Sequence, residues 1–109
     1  MNLKIISLES FVKDVKKLYK KNKKLPQDLK TLNKTLLENP KVGIELSSIL
    51  YKMRLENSSS NIGKSGGFRV IYYYLDEEEN LYLLKIYSKT EIENIKEEIL
   101  IKLLKSQLD

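Results

Sequence analysis

The sequence contains no cysteine and no histidine, and only two prolines and four glycines among its 109 residues. Without cysteine there are no disulfides. Without either residue the usual zinc sites, Cys–His and Ser–His nucleophile pairs and imidazole acid–base chemistry are also excluded. Any catalysis therefore has to use Lys, Arg, Tyr, Asp or Glu. No stretch approaches the roughly 18 consecutive apolar residues of a membrane span. The opening MNLKIISLES lacks the apolar core and small-residue cleavage site of a secretory leader, so the cytoplasm is the expected compartment and no membrane partner is expected. The length suits one domain, residues 1–109, with a single modest core.

Charge is present in abundance and unevenly placed. Residues 1–41 carry 11 Lys against 4 acids, residues 42–75 carry 4 basic against 2 acidic, and residues 76–109 carry 5 against 9, which together give the net +5. A basic front and an acidic tail point to a polyanionic partner for the first two-thirds of the chain. For Lys13, Lys16, Lys17, Lys20, Lys21, Lys23 and Lys24 alone, the solvated face of a helix is an equally good reading.

Apolar residues Phe11, Val12, Val15, Leu18 and Tyr19 recur at helical spacing, which predicts an amphipathic helix over residues 8–22. A second stripe, Leu29, Leu32, Leu36 and Leu37, begins after Pro26 and stops at Asn39-Pro40, so the two helices should form an antiparallel hairpin. From Tyr51 to Glu56 the pattern alternates. Met53 and Leu55 face one way and Lys52, Arg54 and Glu56 the other, as in a half-buried strand with a cationic outer face. The Ser-, Asn- and Gly-rich segment 57–66 reads as a loop. Residues 67–75 form the next strand, 76–80 a turn and 81–88 a third strand. Thr90 and Glu93 have capping-box spacing, and Ile92, Ile95 and Ile99 continue as a final helix. The expected fold class is α+β: an N-terminal helical hairpin packed on a small antiparallel sheet, with a C-terminal helix.

Gly63-Lys64-Ser65 looks like the end of a phosphate-binding P-loop, but the position that needs the first glycine is Ser58, and the loop leads into a strand where a P-loop opens a helix. The same residues make better sense with their neighbours. Lys52 and Arg54 share a face with Arg69 if the register allows, while Lys64 and Lys89 sit at the rim. Cations gathered on one face repel one another unless an anion lies among them, so the cluster points to phosphate binding. Tyr72, Tyr73, Tyr74, Tyr82 and Tyr87 add surface of the kind that stacks on single-stranded RNA. For tyrosines alternating in a half-buried strand, packing is the stronger reading. Glu56 and the acids of Asp76 to Glu79 could serve as metal ligands, but a solvated turn explains the DEEEN run better.

The NPKVG turn (Asn39 to Gly43), YKMRLE (Tyr51 to Glu56), GKSGGFRVIYYYLDEE (Gly63 to Glu78) and LLKIYSKTEIENI (Leu83 to Ile95) carry a resemblance that spans nearly the whole chain. Together they resemble the RelE/ParE superfamily of toxins from bacterial type II toxin–antitoxin systems, most closely its HigB-like RelE branch. The resemblance implies a ribosome-dependent endoribonuclease that cuts mRNA, needs no metal or other cofactor, and is neutralised by a cognate antitoxin in a toxin–antitoxin hetero-oligomer. It also implies site residues. Lys52 and Arg54 match the basic pair of the first sheet strand, and Arg69 matches the arginine expected to hold the scissile phosphate. Lys89 lies beside a basic position that assists the leaving group or binds RNA, and Lys64 is a phosphate-binding loop cation. Independently of the resemblance, Tyr73 and Tyr87 are the tyrosines expected to form RNA-binding surface. Some members carry a late Tyr or His as acid–base group. This chain has neither after Tyr87, which leaves Lys52 or Tyr87 as proton acceptor. The same superfamily includes ParE-like toxins acting on DNA gyrase, and a silent RNA- or antitoxin-binding protein is a third reading.

Overall fold

The computed structural model describes residues 3–47, 49–60, 67–89 and 95–108. The elements run β1 (Lys4–Ser7), α1 (Glu9–Tyr19), α2 (Leu25–Glu38), β2 (Ile44–Glu45), β3 (Leu50–Leu55), β4 (Phe68–Leu75), β5 (Asn80–Ser88) and α3 (Glu97–Leu108). The five strands form one sheet in the order β1-β5-β4-β3-β2. The last four pair antiparallel, and β1 joins the edge of β5 in parallel.

The α+β architecture is the expected one, with two strands added. Both additions are short. β1 is four residues of KIIS, and β2 is the dipeptide Ile44–Glu45. Neither is long enough for alternation to declare it; each is held by pairing to another strand of the sheet. The antiparallel sheet is thereby a mixed one. Helix α1 carries its whole apolar stripe but ends at Tyr19, short of the expected residue 22. The expected capping box at Thr90 and Glu93 lies outside the described residues.

The sheet separates two apolar layers. On one face Phe11, Val15 and Leu18 of α1 and Leu25, Leu29, Leu32 and Leu36 of α2 pack on Tyr51, Met53 and Leu55 of β3 and on Phe68, Val70, Tyr72 and Tyr74 of β4. On the other, Leu100 and Leu104 of α3 pack on Leu50, Ile71, Leu84 and Tyr87. Because β4 has neighbours on both faces and both edges, Phe68 to Tyr72 are all buried, Arg69 included, and a continuous buried run replaces alternation there. Along β3, Leu50 and Tyr51 are buried, Lys52 and Met53 half-buried and Arg54 exposed, and Leu50 is the β3 residue that joins the α3 layer.

A bulge fixes the far edge. Ile71 opposes Lys85 while Tyr72 opposes Leu83, so Leu84 is an extra residue in β5. Beyond the reach of β1, helix α1 satisfies the polar edge of β5. The Ser10 hydroxyl donates to Leu84 O at 2.5 Å, and the Asp14 carboxylate accepts from Ile86 N at 3.1 Å and from Lys85 Nζ at 2.8 Å. These side chains close an edge that would otherwise invite another strand.

Candidate functional site

Register decides which side chains meet. Opposed residues of antiparallel neighbours share a face, so side chains cross β3, β4 and β5 in rows on the face only partly covered by α3, three of them at its cationic end. In the middle row Arg54 opposes Arg69, which opposes Tyr87. One row away Lys52 opposes Ile71. On the other side, Lys89 N donates to Gly67 O at 3.4 Å, extending the β4–β5 ladder to Gly67 and Lys89.

Lys52, Arg54, Arg69 and Lys89 line a single hollow of about 540 Å³, walled by Val42, Gly43 and Ile44 of the β2 edge. A smaller hollow of about 370 Å³, sharing Arg54 and Arg69, adds Leu55, Glu56 and Gly67. Four of the residues expected to act together are therefore brought together. The β2 wall was not foreseen, because its residues signal only a turn.

Arg69 is the buried cation of the group, at 9% exposure, while Arg54 and Lys89 are exposed and Lys52 is half-buried. Its Nη1 donates to Phe68 O at 3.2 Å, which uses one of five guanidinium donors. Among the described residues the ion pairs are Lys13–Glu9 and Lys85–Asp14, and neither involves a cation of the hollow. Two guanidiniums facing each other across a strand pair, one of them desolvated, make a site that favours an anion carrying several acceptor oxygens.

The tyrosines part company. Tyr87 lies beside Arg69 but is buried against the α3 layer. That burial raises its pKa above the ordinary tyrosine value, with Arg69 pulling the other way. Tyr87 thus holds its proton firmly and is poorly suited to take one from a substrate. Tyr73 shares the face but sits at the opposite end of β4, opposed by Leu50 and Tyr82 and edge-on to the Tyr82 ring at 5.6 Å between centroids. It packs with the α3 layer and lines neither hollow. Lys64 lies outside the described residues.

The wall of the hollow is locked to the core by one contact. The Gly43 N–H donates to the hydroxyl of buried Tyr72 at 3.0 Å, and Tyr72 stacks on Tyr51 with ring centroids 5.2 Å apart. A Cβ on Gly43 would lie 2.9 Å from Lys52 O and 3.0 Å from that hydroxyl, so glycine is what lets the β2 edge close in. The far end of β3 is tied to the helical hairpin. The Asp28 carboxylate accepts from Ser58 N at 3.0 Å and from the Ser58 hydroxyl, and Asn57 Nδ2 donates to Asn22 Oδ1 at 2.8 Å. Asp28 and Asn57 are buried, so the chain leaving Arg54 and Glu56 is held at a fixed place.

Among the described residues no cluster of acids has the makings of a metal site, and no helix is long and apolar enough to cross a membrane. Three helices and a five-stranded mixed sheet make an α+β architecture that matches a RelE-like fold. No family model matches the chain. Among solved structures it is similar to the Escherichia coli toxin RelE, in a double arginine-to-alanine mutant in the free state. The TM-score is 0.60 and the identity 18%, over 97% of this chain and 98% of that one. At that identity what is shared is the fold.

Proposed function

We propose that the protein is the toxin of a type II toxin–antitoxin pair, of the HigB-like RelE branch, and that it cuts mRNA on the ribosome. The observation that carries the reading is the opposed pair Arg54 and Arg69, with Lys52 and Lys89 in the same hollow. The fold it shares with a toxin supports it. The two guanidiniums hold the scissile phosphate by its oxygens, and their charge is of greatest help when the phosphorus becomes crowded and more negative. Lys52 and Lys89 extend the cationic track along the RNA backbone, with Lys64 as a further contact. No cofactor takes part. The cognate antitoxin is the partner that restrains the toxin in the cytoplasm.

Induced expression tests the reading in cells. Wild-type protein is expected to stop growth, and the Arg54→Ala, Arg69→Ala double variant to relieve the arrest at equal soluble level. Unimpeded growth with abundant soluble wild-type protein would sink the proposal. A supercoiling assay separates it from a gyrase-directed toxin of the same fold, since fold alone does not choose between the two.

A further inference from the structure

The row beyond Arg54 and Arg69 contains a carboxylate. Leu55 opposes Phe68 and Phe68 opposes Ser88, so one step along the ladder Glu56 comes opposite Gly67 and Gly67 opposite Lys89, an alignment that the Lys89 N to Gly67 O bond supports. Parity puts Glu56 on the face of Arg54, Arg69 and Lys89. Glu56, Gly67, Arg54 and Arg69 line the smaller hollow, and Lys89 lines the larger one with the same two arginines. Glu56 is exposed and has no ion pair among the described residues, although two arginines line the hollow it faces.

We infer that Glu56 is the proton acceptor of the reaction, facing Lys89 as proton donor across the gap left by Gly67. The inference rests on the endoribonuclease reading above. Strands lie about 4.8 Å apart, so side chains two strands away start about 10 Å apart. Gly67 puts nothing between them, and a phosphodiester fits with its attacking and leaving oxygens on opposite sides of phosphorus, as an in-line displacement requires. The Glu56 carboxylate takes the proton of the RNA 2′-hydroxyl as the 2′ oxygen bonds to phosphorus. The bond from phosphorus to the 5′ oxygen breaks, and that oxygen takes a proton from the Lys89 ammonium. The products are a 2′,3′-cyclic phosphate and a 5′-hydroxyl, and exchange with water restores both side chains. Arg54 and Arg69, one row away, hold the phosphate throughout. A chain without histidine thereby has a separate acid and base, neither of which is Tyr87.

The test is single-turnover cleavage of mRNA on programmed ribosomes by the full chain, with ribosome binding measured by co-sedimentation and folding by circular dichroism. Glu56→Gln is expected to slow cleavage by about 10²–10⁴-fold, to leave ribosome binding unchanged, and to remove the rise of rate with pH on the acid side. Glu56→Asp should keep that rise at a reduced rate. Lys89→Ala should be slow on ordinary RNA and recover on RNA with sulfur as the 5′ leaving atom, which departs without a proton. Wild-type cleavage with an equal rate and an unchanged acid limb in Glu56→Gln would overturn this inference alone. Absence of cleavage by the wild type would overturn the endoribonuclease reading and this inference with it.

Discussion

Replacing Arg69 with methionine should make the protein more stable while removing its ability to hold phosphate. Arg69 is 9% exposed, opposes Arg54 across the β3–β4 ladder, and is paired with no carboxylate among the described residues. Opposed side chains start about 5 Å apart. Two unit charges about 6 Å apart at an effective dielectric of about 40, between the protein and water limits, repel by about 1.4 kcal/mol. Methionine keeps the apolar stem packed and removes that repulsion, at the loss of one hydrogen bond to Phe68 O. The expected gain is about 1 kcal/mol, which for a domain of this size raises Tm by roughly 4–8 °C. Arg54→Met relieves the same repulsion from the other side. The double variant should therefore gain less than the sum of the two, with a coupling of about 1.4 kcal/mol in urea unfolding. Added sulfate should stabilise the wild type more than either variant. If Arg69→Met loses about 1 kcal/mol or more and the coupling is near zero, the guanidinium is a structural group and not part of an anion site.

Tyr72 and Gly43 supply the remaining predictions. Burial pushes the Tyr72 pKa up from 10.0 to about 12, partly opposed by the Gly43 hydrogen bond. The folded state thus keeps its proton where the unfolded chain has lost it. This contribution to stability is complete below pH 10 and drains away as pH rises toward 12, by about 2–3 kcal/mol. In Tyr72→Phe that alkaline slope should flatten, while neutral-pH stability falls by about 1 kcal/mol because Gly43 N–H loses its partner; an unchanged slope in alkaline urea titrations would refute the assignment. Gly43→Ala should cost about 1–3 kcal/mol, since the neighbour at 2.9 Å is backbone and cannot swing aside, and should open the β2 wall of the hollow. Wild-type stability and activity in that variant would count against the close approach.

The parts of the fold legible in the sequence are those whose signal is local. The α1 and α2 stripes, the alternation of Tyr51 to Glu56 and the uninterrupted run of β4 each fix a face or a layer within a few residues. β1 is not legible because Lys4 to Ser7 becomes a strand only by pairing with Asn80 to Leu83 of β5, far along the chain, and the bulge at Leu84 has no local sign. Asp14 is an ordinary helix-surface acid in the sequence, and only the fold shows it closing the β5 edge. In the candidate site, period-two spacing sufficed to group Lys52 with Arg54, but the meeting with Arg69 and Lys89 depended on register, which no single strand carries. The tyrosines show the opposite limit. Tyr73 and Arg69 share parity on β4 but lie at opposite ends of the strand, so a shared face did not mean a shared site. Glu56 had the right parity throughout, and only the glycine opposite it and Lys89 beyond reveal a use for it.

The most direct measurement is mapped cleavage of a defined mRNA by the purified protein, with and without ribosomes, for wild type and Arg69→Ala. Ribosome-dependent cleavage through Arg69 requires cuts by the wild type only when ribosomes are present, and loss of those cuts in Arg69→Ala at equal ribosome occupancy. Intact mRNA on ribosomes that have bound the wild-type protein, or the same cuts by Arg69→Ala, would contradict it.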